Sequence, residues 1–442
     1  MKKFLAIVVC KFVRLIGKAV GKGSSMPGQI ALKIDHNILK EIKLPKYVIA
    51  VSGSNGKTST VEMIRQVLVK AGYKVAYNAE GSNQIEGVTT LLLTDVTLSG
   101  RCRSDVILLE SDERYARYSF KYITPTHFII TNLYRDQLTR NGNPEWIYAA
   151  LKESIHDDTK LLLNADDPLV SLFGNDHKDS VYYGLNRFKE ENDIGAYDDG
   201  VYCPNCKGKM KYAYRHYSNI GAYECLNCGH KKHATKYTIT EVNLKGDDAY
   251  LVIDEKYRIN LALKSIYNAY NLLATYSLCK ELGIDSKLIV ETLNNYVLKN
   301  GRVVKFRLGD KEGTLLTSKH ENSTSYNQSI LTLRNEEKEL SVLILVDAIS
   351  RKYFTSETSW LWDINFNALN VSNISNIVLA GLYGSDLAER FEYTNIDPKK
   401  IHVEKDIQKA LDYLKDNTSG YKYVLTCFSD MGKVLDKVEV IK

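Results

Sequence analysis

The sequence predicts an α/β protein with a mostly parallel, doubly wound sheet, an inserted metal-binding module and a second, smaller α/β unit. Three observations lead to this prediction. An apolar run at 47–52 enters a glycine-rich turn and a helix, strand-length and helix-length segments alternate on both sides of residue 300, and two Cys-x-x-Cys pairs interrupt the pattern within 202–235. Such alternation favours parallel strands joined by crossover helices.

Length and composition favour two or three globular domains. The 442 residues are 44% hydrophobic and 25% charged, and the net charge of +6 comes from interspersed acidic and basic residues. This balance does not require a nucleic-acid partner, and we expect none. Four of the eight cysteines form Cys-x-x-Cys pairs, which favours metal binding in a reducing compartment. The predicted divisions are an N-terminal segment (1–45), a central domain (46–300) and a C-terminal domain (301–442).

The first residues predict an amphipathic helix. Basic residues lie opposite its apolar stripe, which consists of Phe4, Leu5, Val8, Phe12, Leu15 and Ile16. The apolar run is too short for a signal peptide, and no segment reaches the roughly 20 apolar residues that span a bilayer. Two interpretations stay open, a helix docked on the protein or a helix that lies on an anionic membrane surface. We expect a cytoplasmic protein, which the second interpretation places at the inner face of the plasma membrane.

Apolar runs give the remaining elements. In the central domain they predict strands at 47–52, 106–109, 127–131 and 160–163, a helix at 58–71 and a helix-rich region at 265–296. In the C-terminal domain they predict strands at 340–346, 376–380 and 421–427 and helices at 387–391 and 407–414. A break that contains Gly, Ser and Pro is expected at 21–28.

The turn after the first strand is a candidate phosphate-binding loop. Its residues are Gly53, Ser54, Asn55, Gly56, Lys57, Thr58 and Ser59. Glycines let a backbone wrap closely around phosphate oxygens, and the following helix directs free amide groups at them. Lys57 is expected to contact the β and γ phosphates, and the Thr58 hydroxyl to bind Mg²⁺. The general eight-residue pattern is not met in full, because Val51 stands where its first glycine belongs.

Residues 53–58 resemble the ATP loop of the Mur ligases, which join an amine to an ATP-activated carboxylate. Further resembling segments follow in the family's order at 78–83, 87–90, 110–113, 131–138, 163–168, 267–271 and 301–302. The resemblance implies a Mur-ligase-like central ATPase domain and a Rossmann-like C-terminal domain. It also implies that Glu110 binds Mg²⁺ and acts in catalysis with Lys57, that Asn268 and Asn271 lie near the adenine, and that Arg302 reaches the terminal phosphate.

Four cysteines predict a zinc ribbon within the central domain. Eighteen residues separate the pair Cys203 and Cys206 from the pair Cys225 and Cys228. Each Cys-x-x-Cys turn presents two sulfurs to one ion, and Zn²⁺ takes four thiolates in a tetrahedron. Because protein atoms would fill all four positions, the expected role of this zinc is structural.

An inserted ribbon and the Arg135-Asp136-Gln137 block together resemble the MurT proteins. That resemblance implies a ligase subunit that amidates the D-glutamate of the lipid II stem peptide, with ammonia from GatD, a class I glutamine amidotransferase. The Ser-Trp-x-Trp-Asp block at 359–363 fits this family, but the segments 318–323 and 425–429 depart from its pattern. Glu357 stands where MurT proteins carry an Asp thought to complete the glutaminase triad, and Asp347 is a second candidate.

Three functions therefore remain open at the level of sequence. The first is this MurT-like subunit acting with a glutaminase on lipid II or a related precursor. The second is a Mur-type ligase with a different acceptor or amine source and no glutaminase, which the altered C-terminal segments suggest. The third is a module that binds ATP and zinc without catalysis.

Overall fold

The computed structural model describes residues 1–19, 24–78, 83–135, 142–188, 200–245, 248–261, 264–296, 303–319, 321–348 and 358–441. They form two large sheets covered by helices and one separate hairpin. Among the residues so described, no helix is long and apolar enough to cross a membrane.

The larger sheet has nine strands in the order β11-β10-β9-β6-β5-β4-β1-β3-β2. Their bounds are β1 Tyr47–Ser52, β2 Val75–Tyr77, β3 Val106–Glu110, β4 His127–Ile130, β5 Lys160–Asn164, β6 Ser180–Leu185, β9 Tyr237–Asn243, β10 Tyr250–Ile253 and β11 Tyr257–Asn260. β1 lies between β3 and β4 and is parallel to both, and only the β9-β10-β11 edge is antiparallel. The predicted doubly wound, mostly parallel sheet is thus confirmed. The hairpin strands are β7 Met210–Tyr217 and β8 Ile220–Cys225.

The smaller sheet has seven strands in the order β16-β15-β14-β17-β13-β12-β18. Their bounds are β12 Val303–Leu308, β13 Lys311–Ser318, β14 Leu340–Leu345, β15 Ile374–Ala380, β16 Ile401–Glu404, β17 Tyr421–Cys427 and β18 Glu439–Val440. Strands β13 to β17 pair in parallel, whereas β12 runs antiparallel to both β13 and β18. The sequence indicated the apolar strands β14, β15 and β17 but not β12, whose side chains alternate between exposed and buried positions.

Twelve α-helices accompany the sheets in the described residues. They are α1 Lys2–Ala19, α2 Met26–Ile34, α3 Lys57–Lys70, α4 Ile85–Asp95, α5 Ala116–Ser119, α6 Pro144–Lys152, α7 Ile266–Glu281, α8 Ser286–Asn294, α9 Ser323–Arg334, α10 Gly384–Glu392, α11 Ile407–Asp416 and α12 Phe428–Leu435. Helix α7 is buried along nearly its whole length and packs against α3. The predicted boundary near 300 falls in 297–302, outside the described residues, so that division stays a prediction.

Buried strands explain how the chain positions its loop. Residues 48–51 of β1 are at most 2% exposed, and β3 and β5 are similarly apolar. Strands covered on both faces have such continuous apolar sequences because helices pack on each side. Since β1, β3 and β4 are parallel neighbours, the segments that follow them emerge at one edge of the sheet.

Helix α1 is docked, but not through its predicted stripe. Ala6, Ile7 and Cys10 are fully buried and join the core that underlies α2 and α4. The six residues of the stripe are instead 37–71% exposed. These three residues make the contact with the protein, and the wide apolar face points away from it. The sequence revealed the amphipathic pattern but not which face makes the contact.

Helix α2 begins inside the break that was expected at 21–28. Pro27 lies in its first turn, where the missing N–H costs no hydrogen bond. Gly28 is buried against α4, and a Cβ atom there would lie 1.9 Å from the Glu86 carbonyl oxygen. The Gly28 N–H donates to Thr90 Oγ1 at 2.8 Å. The glycine is therefore a contact between helices and does not end one.

A polar cluster joins α7 to the larger sheet at Glu281. Its carboxylate accepts hydrogen bonds from Lys236 at 2.6 Å, from the Tyr237 hydroxyl at 2.7 Å and from Lys160 at 3.0 Å. Burial opposes the charge of this group, but the three donors outweigh that effect and lower its pKa from 4.5 to about 2. The ionised form is therefore the one that stabilises the fold.

We expect Glu281→Gln to lower the free energy of unfolding near neutral pH by about 1–3 kcal/mol, because three donors lose a charged acceptor. The folded-state pKa lies below the ordinary value of 4.5, so this stabilisation is present above about pH 4.5 and is lost as the pH falls toward 2. Urea denaturation across this pH range measures the effect.

Glu291→Gln on α8 is the matched control. Its partner Lys70 lies 3.8 Å away and both side chains are more than half exposed, so we expect a change within about 0.5 kcal/mol. Equal destabilisation by the two variants would contradict the assignment.

Candidate functional site

The loop between β1 and α3 makes two close approaches to the protein around it. Gly53 and Gly56 have φ angles of +133° and +87°, which residues with side chains rarely adopt. A Cβ atom at Gly53 would lie 2.2 Å from Thr131 Oγ1, and one at Gly56 would lie 2.1 Å from Asn271 Oδ1. Helix α3 begins directly after the loop, at Lys57, and leaves the amide groups of its first turn available there. The loop thus has the close backbone and helix start that a phosphate cradle requires.

Two residues that follow β4 fix the loop backbone. The Asn55 N–H donates to Asn132 Oδ1 at 2.8 Å, and the Ser54 N–H donates to the Asn132 carbonyl at 2.9 Å. Thr131 Oγ1 donates to the Asn55 carbonyl at 2.8 Å. Because β4 is the parallel neighbour of β1, these contacts follow from the topology of the sheet.

Lys57 is a buried cation at the start of α3. Its ammonium group lies 2.6 Å from Glu113 Oε1 and also donates to the Gly53 carbonyl. The Lys57 and Glu113 side chains are only 9% and 3% exposed. Burial raises the pKa of the Glu113 carboxyl, and the charge of Lys57 opposes that shift. Removing one member of such a buried pair leaves an uncompensated charge, so Glu113 holds Lys57 beside the loop.

The two predicted magnesium ligands lie at this same edge of the sheet. Glu110 ends β3, is 8% exposed and pairs across the sheet with Val51. Its N–H donates to Asn78 Oδ1 at 2.8 Å, and its carbonyl accepts from Asn78 Nδ2 at 3.0 Å. Thr58 is half-buried in the first turn of α3. Carboxylate and hydroxyl oxygens are ligands that Mg²⁺ accepts, so the donor chemistry fits the predicted ion.

A pocket opens beside the loop, between the two sheets. Asn268 and Asn271 of α7, the predicted adenine residues, line it together with the loop residues Asn55, Gly56 and Ser59. Residues of the smaller sheet and of α9 form the opposite wall, so the pocket is built from both halves of the chain.

Three tyrosines from separate elements meet in this pocket. The Tyr217 ring centroid lies 4.2 Å from that of Tyr267 and 6.3 Å from that of Tyr134. Tyr267 is on α7, Tyr134 follows β4, and Tyr217 is the last residue of β7. The cysteine-bearing hairpin therefore supplies part of the wall of the candidate nucleotide pocket.

The C-terminal half of the chain also contacts the loop directly. Lys319 Nζ donates to the Ser54 carbonyl at 3.1 Å, and Asn55 Nδ2 donates to Asn322 Oδ1 at 3.1 Å. Both residues belong to the segment 318–323 that departs from the MurT pattern. The altered segment nevertheless lies against the phosphate loop.

The four predicted zinc ligands come together at one end of the hairpin. The Sγ atoms of Cys203, Cys206, Cys225 and Cys228 lie within 4.8 Å of one another. The Cys206–Cys225 and Cys203–Cys228 distances are 3.5 and 3.7 Å. A disulfide needs about 2.05 Å, whereas sulfurs at about 2.3 Å from one tetrahedral Zn²⁺ lie about 3.8 Å apart. Asn227 donates to Cys206 Sγ at 3.4 Å and lowers the pKa of this thiol to about 6. The cluster fits zinc, whose presence stays a prediction.

Several predicted residues cannot be placed. Arg302, Glu357 and Gln137 lie outside the described residues, so their roles stay predictions. Asp347, the second candidate for the triad acid, lies two residues after β14. Its carboxylate accepts from Lys433 Nζ and, at 2.7 Å, from the Leu382 N–H. Asp347 is thus tied into the fold of its own domain.

Sequence reasoning missed three kinds of contact. Glu113 was seen only as part of a block, although its position after β3 was a signal that it lies at the sheet edge. Thr131 and Asn132 carried the same signal after β4. No feature of the sequence indicated that Asn322, which is 267 positions from Asn55, reaches the loop.

Two parts of the chain match known protein families. Residues 51–213 match the Mur ligase middle domain, and residues 320–431 match the MurT ligase C-terminal domain. The first range includes the phosphate loop and both of its neighbouring strands. The second includes Asn322, which contacts that loop.

Known proteins match nearly the whole chain. The MurT subunit of lipid II isoglutaminyl synthase (glutamine-hydrolyzing) from Staphylococcus aureus strain COL is 31% identical over 441 residues, 99% of this chain and 98% of that protein. The same subunit from Streptococcus pneumoniae strain R6 is 30% identical over 442 residues, 98% and 96% of the two chains.

Solved structures share the fold. A pseudomurein peptide ligase type C from Methanothermus fervidus is 23% identical with a TM-score of 0.69, covering 91% of this chain and 80% of that one. MurF from Thermotoga maritima in complex with ADP is 17% identical with a TM-score of 0.57, covering 93% and 83%. The chain therefore belongs to the MurT family of Mur ligases and is an ATP-dependent ligase that forms carbon–nitrogen bonds.

Proposed function

We propose that this chain is the ligase subunit of a lipid II isoglutaminyl synthase, which amidates the D-glutamate carboxylate of the lipid II stem peptide. The observation that carries the proposal is the match of the whole chain to MurT subunits, in a structure whose phosphate loop is closely packed. ATP phosphorylates the carboxylate to an acyl phosphate and leaves as ADP. Ammonia then attacks the acyl carbon, and inorganic phosphate departs.

The loop and its surroundings suit the first of these steps. Backbone amides near Gly53 and Gly56 and the α3 N-terminus stabilise phosphate charge, and Lys57 adds a cation. Thr58 and Glu110 would hold Mg²⁺, which neutralises charge during phosphoryl transfer. Asn268 and Asn271 would face the adenine in the pocket between the sheets. Arg302 is proposed, on the resemblance alone, to reach the terminal phosphate.

Ammonia is proposed to come from a GatD-like class I glutamine amidotransferase. Glu357 remains the proposed acid that completes its triad, on sequence position alone. The engagement of Asp347 with Lys433 and the Leu382 N–H favours Glu357 over Asp347. A glutaminase partner also makes ammonium a direct test of the ligase, because free ammonium replaces the partner's product.

The ligase prediction is tested by incubating lipid II with the chain, ATP, Mg²⁺ and ammonium near neutral pH and analysing the product by mass spectrometry. We expect a D-glutamate in which an amino group has replaced the hydroxyl of the α-carboxyl. Lys57→Met should lower the rate by about 100-fold or more, because a cation at the transferring phosphate is lost.

Lys70→Met, at the exposed end of the same helix, should leave the rate unchanged. Consumption of ATP with an amine but without modified lipid II would indicate the second candidate, a ligase with another acceptor. No ATP turnover under any of these conditions would contradict both.

Loop packing gives a second prediction. Gly56→Ala should weaken ATP binding at least tenfold, measured by calorimetry, because its Cβ meets Asn271 and displaces the loop. Gly72→Ala is the control, since φ is +90° there but nothing lies within 4 Å of the added Cβ. The control should cost only about 1 kcal/mol of stability and leave ATP affinity intact. Similar ATP affinities for the two variants would contradict the cradle.

The cysteine cluster gives a third prediction, which concerns zinc. We expect about one zinc per chain by elemental analysis, with loss of the metal in Cys206→Ser and retention in Cys102→Ser, whose thiol lies outside the cluster. Because β7 carries Tyr217 into the pocket, metal loss should also weaken ATP binding. Full zinc content in Cys206→Ser would contradict the assignment.

A further inference from the structure

The exposed face of α1 is an apolar surface that the proposed function does not use. Twenty large hydrophobic side chains are exposed in the described part of the chain, and eight of them lie within the first 26 residues. They are Met1, Phe4, Leu5, Val8, Phe12, Leu15, Ile16 and Met26. Six of them form the stripe on α1, which spans about 120° of the helix circumference at 3.6 residues per turn. A contiguous apolar surface of this kind marks a binding face.

Charge around this face selects its partner. Residues 1–46 contain ten Lys or Arg and two Asp or Glu, whereas the other 396 residues contain 49 basic and 51 acidic residues. The positive charge of the whole protein therefore resides in the segment that carries the stripe. Lys2 and Lys11 fall at the margins of the stripe, and further exposed lysines follow at 33, 40, 43 and 46. An apolar helix face flanked by cations, within a basic segment, is the pattern that binds anionic lipid headgroups and shallow acyl chains.

The helix is held rigidly while its apolar face stays outward. Ala6, Ile7 and Cys10 anchor it in the core, and two of its lysines bond to the protein backbone. Lys3 Nζ donates to the Glu41 carbonyl at 2.8 Å, and Lys11 Nζ donates to the Thr94 carbonyl at 2.8 Å. The face is thus preorganised and need not fold on contact, which lowers the entropic cost of binding.

We infer that the chain docks on anionic membranes through the apolar face of α1, with exposed lysines of this basic segment, such as Lys2, available to the headgroups. This inference rests on the proposed function and deepens it. Lipid II is anchored in a membrane by its lipid tail, so a ligase that amidates it would work at that surface. Helix α1 packs against α4, which includes residues 87–90, one of the segments that resemble the Mur ligases. Docking would therefore bring α4 close to the headgroup layer.

The test is sedimentation of the full-length chain with vesicles of phosphatidylcholine, with and without phosphatidylglycerol. We expect binding to the anionic vesicles, weaker binding to the neutral ones, and loss of the difference at high salt. The double variant Phe12→Glu/Leu15→Glu should reduce the partition coefficient at least tenfold, because it removes two large apolar groups and adds charge. Both side chains are more than 60% exposed, and an unchanged melting temperature would verify that the fold is intact.

Leu382→Glu/Val403→Glu is the matched control, since it makes the same charge change at exposed apolar positions of the C-terminal half. This control should bind vesicles like the wild type. Equal binding by Phe12→Glu/Leu15→Glu and the wild type would overturn the inference. A wild type that does not bind anionic vesicles would overturn it as well. So would a dimer in light scattering that the α1 variant alone dissociates, because the face would then be a contact between copies.

Assays with two substrates distinguish a failure of this inference from a failure of the proposed function. The α1 variant should amidate a water-soluble precursor without a lipid tail at the wild-type rate, but amidate lipid II in vesicles at least tenfold more slowly. If the wild type binds vesicles but amidates neither substrate, the proposed function fails and the docking stands. If both substrates are amidated equally by the two proteins, the docking has no part in the reaction and its assignment to the substrate surface is overturned.

Discussion

Gly53 and Gly56 bring the loop backbone closer to Thr131 and Asn271 than any side chain would allow, and this close approach sets the positions of the elements around it. It requires a parallel neighbour for β1, so that β4 ends beside the loop, and it requires α7 to lie directly beneath. Helix α7 meets that requirement by being buried along nearly its whole length. The pocket, the buried Lys57–Glu113 pair and the contacts from the C-terminal half are all arranged around this one backbone segment.

Patterns of apolar residues predicted the parts of the fold whose burial is uniform. The strands β1, β3, β4, β5, β14, β15 and β17 are covered on both faces, so the sequence shows them as continuous apolar runs. Strand β12, which lies next to the edge strand β18, alternates between exposed and buried side chains and was not recognised. The stripe on α1 shows a different limit. Periodicity finds an apolar face, but packing by Ala6, Ile7 and Cys10 decided which face meets the protein. These three residues, of which Ala6 and Cys10 are small, give a weaker signal than the six large apolar residues of the stripe.

Some residues of the candidate site could be predicted from local sequence, whereas others could not. Local spacing was enough to group the four cysteines and the phosphate loop, because each of these sites is formed by residues close together in the chain. The contacts of Glu113 and Asn132 can be predicted only when the strand order is known, because both residues follow strands that neighbour β1. The contact of Asn322 with the loop depends on how the two halves of the chain pack together, which no local sequence pattern indicates. Tyr217 is similar, because its place in the pocket depends on how the hairpin folds back toward α7.

Contacts between residues that are more than 260 positions apart have a consequence for how such chains diverge. Lys319 and Asn322 form hydrogen bonds with Ser54 and Asn55, so residues from both halves of the chain hold the loop in place. A recombinant that joined the first half of this protein to the second half of a relative would separate these partners. The loop would then meet a surface that lacks its present partners. A substitution of Lys319 or Asn322 would therefore disturb the phosphate loop from the other half of the chain.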